Sequence, residues 1–287
     1  MTDSDDRAAR PRRGPAANAE LALLLEVAGT PKPGNVDRER DLTDLHFEQF
    51  LAGAVGARPG LKRATRASFG EAFETAVAGM SQQDGGNTQF GCLLLLVPLV
   101  AATPDGDAPT RESVRRVCAE TDTADAVGFY RAFEHVDVAV ADPPDGMEPL
   151  DVRRGADAVP ALREREVTMA ELMADAAPHD ANAREWTEGF PRTFRAADEI
   201  VADDGPVTDR AARAFLDLLA EAPDTLVATE HGEEVAQEVS ARAAEIDDRE
   251  AARSWATELV DRGINPGTTA DLTAAALYVA LARGVSP

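Results

Sequence analysis

The stretch from residue 91 to residue 102, GCLLLLVPLVAA, contains no charged side chain. It falls well short of the roughly 20 apolar residues that span a bilayer, and Pro98 interrupts it. A helix that is apolar on all sides must instead be enclosed by other helices. The run therefore predicts a buried central helix, starting near Asn87, inside an all-α fold.

The remainder of the chain agrees. Alanine, leucine, glutamate and arginine dominate, and apolar residues recur at helical rather than alternating spacing. Leu21, Leu24, Leu25 and Ala28 form the inner face of a first helix that Gly29 and Thr30-Pro31 terminate. Phe47, Phe50, Leu51 and Ala54 do the same in a second, which Arg58-Pro59-Gly60 ends; a third covers residues 61–80. Later helices are expected around 112–120, 123–140, 168–176, 181–202, 208–220, 233–245, 248–261 and 269–283, with 225–229 part of a helix or turn. Residues 1–14 read as a disordered tail whose charged start lacks the apolar centre of a signal peptide. Residues 15–287 read as one multi-helix catalytic domain, a length that one core can still serve, with a Pro-, Gly- and Asp-rich irregular connection at 141–162.

Charge narrows the classes of function. The formal charge is -23, and only two of the 29 basic residues, Lys32 and Lys62, are lysines. Such self-repulsion is largely screened at about 1 M salt, where the Debye length is about 3 Å. A halophilic, cytoplasmic protein is expected. The absence of a basic stripe argues against nucleic acid as a partner, and no segment suggests a membrane. Cys92 and Cys118 are too few for a disulfide framework and read as small core residues. Nothing in the chain decides the oligomeric state, so a homodimer stays open.

Four polar, glycine-containing segments interrupt the helices: 30–37 with its extension to Glu48, 84–91, 224–232 and 263–271. In the first, Lys32 lies between two prolines, which hold it on a stiff, non-helical backbone. A pre-organised ammonium suggests a bound anion. The turns at Gly86-Asn87-Thr88 and Asn265-Pro266-Gly267-Thr268 open helices, whose first N–H groups can accept phosphate oxygens or simply be capped. Asp41, Asp44 and Glu48, spaced by three and four, share one helical face. Glu26 and Asp37 can face the same space. Carboxylates beside phosphate-binding turns are a usual way to hold magnesium on a polyphosphate. A calcium loop over 37–48 is rejected because Leu42 takes the place of the turn-making glycine. No phosphate-loop, dinucleotide or zinc-protease motif is present, and the histidines at 46, 135, 179 and 231 are scattered.

Taken in order, Glu26, Thr30-Pro31-Lys32-Pro33-Gly34-Asn35-Val36-Asp37, Asp44, Gly86-Asn87-Thr88 with Gly91, Asp224-Thr225 and Asn265-Pro266-Gly267-Thr268-Thr269-Ala270-Asp271 resemble the triphosphoribosyl-dephospho-CoA synthase family, over about residues 19–283. The resemblance implies an all-helical transferase that takes ATP and 3'-dephospho-CoA, releases adenine and joins the triphosphoribosyl group to a ribose hydroxyl. It makes the product a prosthetic-group precursor for the carrier proteins of citrate lyase and malonate decarboxylase. By the same resemblance Lys32, Asn35, Gly86, Asn87, Thr88 and Thr268 would hold phosphates or substrate. Asp37, Asp44 and Glu48 would hold Mg2+ or supply the base, in an order left open. Asn265 and Asp271 would orient sugar or base, with Glu26, Asp41 and Asp224 in support. The chain departs from the family pattern in having Gln89-Phe90 for a His-Lys pair and Leu42 for a histidine, and in lacking the basic residue expected after Asp224-Thr225. Those losses leave two alternatives: another nucleotide or phosphosugar transformation on the same fold, or a non-catalytic nucleotide-binding protein.

Overall fold

Pro98 does not break the central helix. A proline inside a helix deprives the carbonyl four residues earlier of its partner, here that of Leu94. The indole Nε1–H of Trp186 donates to that oxygen at 3.1 Å, so the buried acceptor is satisfied and the helix continues to Ala101. The second helix, expected to end at Pro59, also runs on past it; the carbonyl freed there belongs to Val55, an exposed residue.

The computed structural model describes residues 13–103, 107–143 and 146–287. Of the tail expected at 1–14, only Arg13 and Gly14 fall among them. The described residues form fifteen α-helices in the order α1 (Pro15–Ala28), α2 (Phe47–Arg63), α3 (Phe69–Met80), α4 (Phe90–Ala101), α5 (Arg111–Ala119), α6 (Thr123–Ala132), α7 (Val159–Glu164), α8 (Met169–Ala176), α9 (Ala181–Glu188), α10 (Pro191–Ala202), α11 (Val207–Glu221), α12 (Thr225–His231), α13 (Glu233–Ala243), α14 (Arg249–Asp261) and α15 (Gly267–Ala282). No strand forms among them; an isolated bridge joins Asp37 to Arg40. The irregular connection at 141–162 holds two 3-10 turns, Glu148–Leu150 and Val152–Ala158, and the start of α7.

Three expected helices differ in extent. The third begins at Phe69 rather than 61, capped by Ser68, whose Oγ accepts from the Glu71 N–H. The sixth stops at Ala132 instead of running on to 140. The long helix expected over 181–202 is two, because Gly189 and Phe190 take positive φ ahead of Pro191, a residue suited to a helix start.

The core has two buried helices rather than one. α4 is enclosed as expected, and α15, with Leu272, Leu277, Tyr278 and Leu281 all nearly inaccessible, packs against it. The hydroxyls of Thr103 and Tyr278 bond across the pair at 2.7 Å. Phe69, Phe73, Phe90, Phe129 and Phe133 pack ring against ring at the start of α4, mostly edge to face. Cys92 and Cys118 are free and buried, as small core residues. A smaller core around Phe215, Val227, Trp255 and Leu259 joins α11 to α14. No helix of the described residues is long and apolar enough to cross a membrane. This arrangement brings the end of α1, the loop after it and the starts of α4, α9, α12 and α15 to one place.

Candidate active site

Lys32 is wholly buried. Its ammonium donates to Glu26, one turn from the end of α1, and to Asn35 Oδ1 at 2.8 Å, and lies 5.9 Å from the centre of the Phe215 ring. Burial pushes the Glu26 carboxyl up, against the pull of the lysine. Asn35 in turn donates to Asn265 Oδ1 at 2.8 Å. Gly34 allows that approach: its φ is +78°, and a β-carbon there would sit 2.2 Å from the carbonyl oxygen of Ile264. Lys32 and Asn35 thus tie α1 to the turn before α15. The ammonium expected to meet a phosphate has two of its three N–H groups spent on the protein.

Asp37 is spent too. Its Oδ2 accepts from the Thr30 hydroxyl at 2.9 Å, from the Lys32 N–H at 3.0 Å and from Arg40 at 3.0 Å, while Oδ1 accepts from the Glu39 N–H at 2.8 Å. Asp41 accepts from the Phe47 N–H and lies 3.3 Å from the His46 ring. Asp44 and Glu48 are exposed. Among the described residues no three His, Cys, Asp or Glu side chains are grouped to hold a metal ion. The expected magnesium trio of Asp37, Asp44 and Glu48 is therefore not assembled, because Asp37 is needed to close its own loop.

The start of α15 holds a carboxylate of the protein's own. Asp224 caps α12 through Oδ1, and its Oδ2 accepts both the N–H and the hydroxyl of Thr269 at 2.7 Å. An acid at the positive end of a helix is favoured, and it takes the place expected for a phosphate. Burial still pushes the Asp224 carboxyl up. Thr268 accepts from the Thr225 hydroxyl at 3.2 Å.

One turn further along α15, Asp271 is only partly buried. Its Oδ1 accepts from the Cys92 thiol at 3.2 Å and its Oδ2 from Asn182 Nδ2 at 2.8 Å. Gly91 makes room for it, since a β-carbon there would lie 1.9 Å from Oδ2. Desolvation pushes the Asp271 carboxyl up to about 7; Asn182 and Cys92 oppose the rise, and the nearby Asp224 and Glu26 add to it. Burial and Asp271 together hold the Cys92 thiol well above its usual range.

Before α4, Asn87 Oδ1 caps the Phe90 N–H at 3.0 Å, Gly86 turns at positive φ, and the Thr88 hydroxyl and both amide atoms of Gln89 are buried without a partner. Glu26, Lys32, Asn35, Asp224, Asn265, Thr268 and Asp271 are thus brought together, with Gly91 linking the 84–91 turn to them, whereas Asp41, Asp44 and Glu48 stand outside. Asn182 was not signalled by the sequence. It lies in a polar helical segment, ANAREW, that resembles any solvated helix start.

The family model for CitG, ATP:dephospho-CoA triphosphoribosyl transferase, matches residues 12–286. The chain belongs to this transferase family. A crystal structure of a candidate triphosphoribosyl-dephospho-CoA synthase from Archaeoglobus fulgidus matches with a TM-score of 0.68 at 26% identity, covering 82% of this chain and 99% of that one. No curated protein matches significantly. Within the CitG family's motifs as they stand here, Lys32, Asn35 and Asp37 brace the loop, and Asp271 alone combines partial exposure with a carboxyl titrating near neutrality. Two shallow surface clefts, one bordered by Glu238 and Trp255 and one by Arg195 and Asp217, include none of these residues.

Proposed function

We propose that the chain transfers the triphosphoribosyl group of ATP to a ribose hydroxyl of dephospho-CoA and releases adenine. Membership of the transferase family over residues 12–286 carries this reading, and the carboxylates around Asp271 supply chemistry that the reaction needs. The acceptor oxygen forms a bond to C1' of the ATP ribose as the C1'–N9 bond breaks. That bond's electron pair leaves with adenine, which takes up a proton, and the acceptor hydroxyl gives its own proton to a carboxylate.

Asp271 suits that last role: a base is most useful when its pKa is near the working pH, and its carboxyl is held at about 7. Positive charge growing on the ribose is favoured by the fields of Asp271 and Asp224 in a poorly solvated site. Lys32 acts as a positioning residue by fixing Glu26 and, through Asn35, Asn265. Asn87, Thr88 and Gln89 border the turn nearest Gly91 and are the side chains best placed to meet substrate there. Mg2+ enters this reading only with the triphosphate, since the donor set above does not suit a resident ion and no step runs through one.

Purified protein given ATP, magnesium and dephospho-CoA should produce free adenine in equal amount with an acceptor enlarged by the triphosphoribosyl group. ATP binding without adenine release would contradict the reading. The excess of 52 acidic over 29 basic residues suits a high-salt cytoplasm. Raising KCl from about 0.1 M to about 2 M should then raise the unfolding midpoint, since the repulsion is screened.

A further inference from the structure

We propose that Asn182 and Asp271 form a seat for the two adjacent hydroxyls of the acceptor ribose, and that this seat selects an acceptor with no phosphate on the diol. The inference rests on the transferase reading and adds the feature of the substrate that is recognised.

Asn182 is 6% exposed. Its Nδ2 is committed to Asp271 Oδ2, while Oδ1 is buried and accepts no hydrogen bond from the described residues. A buried amide oxygen left in that state is costly. The donors beside it are already engaged: the Ala181 N–H with the Thr225 hydroxyl at 3.3 Å, the Ala183 N–H with Asp180 at 2.7 Å, and the Thr225 hydroxyl with Thr268 at 3.2 Å. A ligand hydroxyl can supply the missing donor. Next to it, Asp271 Oδ1 receives only a thiol, a weak donor, and the residue as a whole is only partly buried.

The pair thus presents the Asn182 Oδ1 and Asp271 Oδ1 acceptors, with one of the two Asn182 Nδ2 donors spent between them. The charged and titratable groups facing it are Glu26 from α1, Cys92 from α4 and Asp224 at the start of α12, with Lys32 neutralised by Glu26. Such a surface accepts from hydroxyls and repels phosphate. Dephospho-CoA carries a free ribose diol at its adenosine end; CoA carries a phosphate there.

Equilibrium binding of dephospho-CoA, its 2'-deoxy and 3'-deoxy analogues and CoA is measured on the wild type, Asn182→Ala and Asn182→Ser, with circular dichroism as the check on folding. The wild type should bind the diol about tenfold more tightly than either deoxy analogue, a usual worth for one buried hydrogen bond, and CoA more weakly still. Asn182→Ala should lose the gap towards one of the analogues. An unchanged gap in Asn182→Ala, or no gap in the wild type, overturns the proposal, and the wild-type arm decides even if both variants fail to fold. A gap found with 3'-deoxy-ATP and not with the acceptor analogues overturns the assignment to the acceptor. Adenine release is followed in the same preparations. Transfer without a diol gap leaves the transferase reading intact and removes this inference; an Asn182-dependent gap without transfer does the reverse.

Discussion

The loop after α1 and the cluster around Asp271 lie side by side and treat their polar atoms in opposite ways. In the loop, Lys32, Asn35 and Asp37 are nearly inaccessible, and the side chain of each is hydrogen-bonded to at least two neighbours. In the cluster, Asn182 Oδ1, both amide atoms of Gln89 and the Thr88 hydroxyl are buried without partners, and Asp271 is held by one amide and one thiol. A satisfied buried network adds rigidity, whereas an unsatisfied one is a cost that a ligand can remove. In the proposed reading the loop is scaffold and the cluster is the place of substrate chemistry.

That contrast predicts stability losses on one side and activity losses on the other. The largest stability effect should come from Lys32→Ala, which leaves Glu26 buried without its counter-charge and should cost about 3–5 kcal/mol in denaturant unfolding. Replacing Glu26 and Lys32 together by methionine should cost much less than the sum of the single changes. If Lys32→Ala keeps full stability and only ATP binding falls, the scaffold assignment is wrong. Trp186→Phe should come next, at about 1–3 kcal/mol, because the Leu94 carbonyl beside Pro98 would lose its donor. Gln89→Leu should have the smallest effect on stability, neutral or stabilising by up to about 1 kcal/mol since it removes an unpaired amide. Its transfer rate should nonetheless drop, and a Gln89→Leu enzyme with unchanged kinetics would remove that residue from the site.

Much of the fold could be read from the chain because its helices announce themselves by spacing and punctuation. The Gly91 turn, the apolar run after it and the stops at Gly29 and Pro31 are local signals. What stayed hidden depends on distant partners. Nothing near Pro98 indicates that Trp186, far along the chain, completes its helix. The fate of Lys32 turned on Glu26, an acid on an otherwise apolar helix face that makes sense only as an internal counter-ion. The acids at 41, 44 and 48 shared a helical period, yet 41 and 44 precede the helix and serve the loop or solvent. The break at Gly189 had a local sign in Pro191 that the helix expected over 181–202 passed over, whereas the Asn182 contact with Asp271 crosses 89 residues and has no local trace.

The central claim, that Asp271 is the proton acceptor of a glycosyl transfer, is tested most directly by the pH dependence of kcat/KM for transfer to dephospho-CoA. With its carboxyl at about 7 in the folded protein, kcat/KM should rise as pH increases through about 7, and Asp271→Asn should remove that limb and lower turnover by about 10²- to 10⁴-fold. The folded form also binds this proton more tightly than the unfolded chain does. The stability it contributes is therefore complete below about pH 4 and lost as pH rises towards 7, a slope that Asp271→Asn should flatten. A profile with no limb near neutrality, together with an Asp271→Asn enzyme that still turns over at the wild-type rate, would contradict the account.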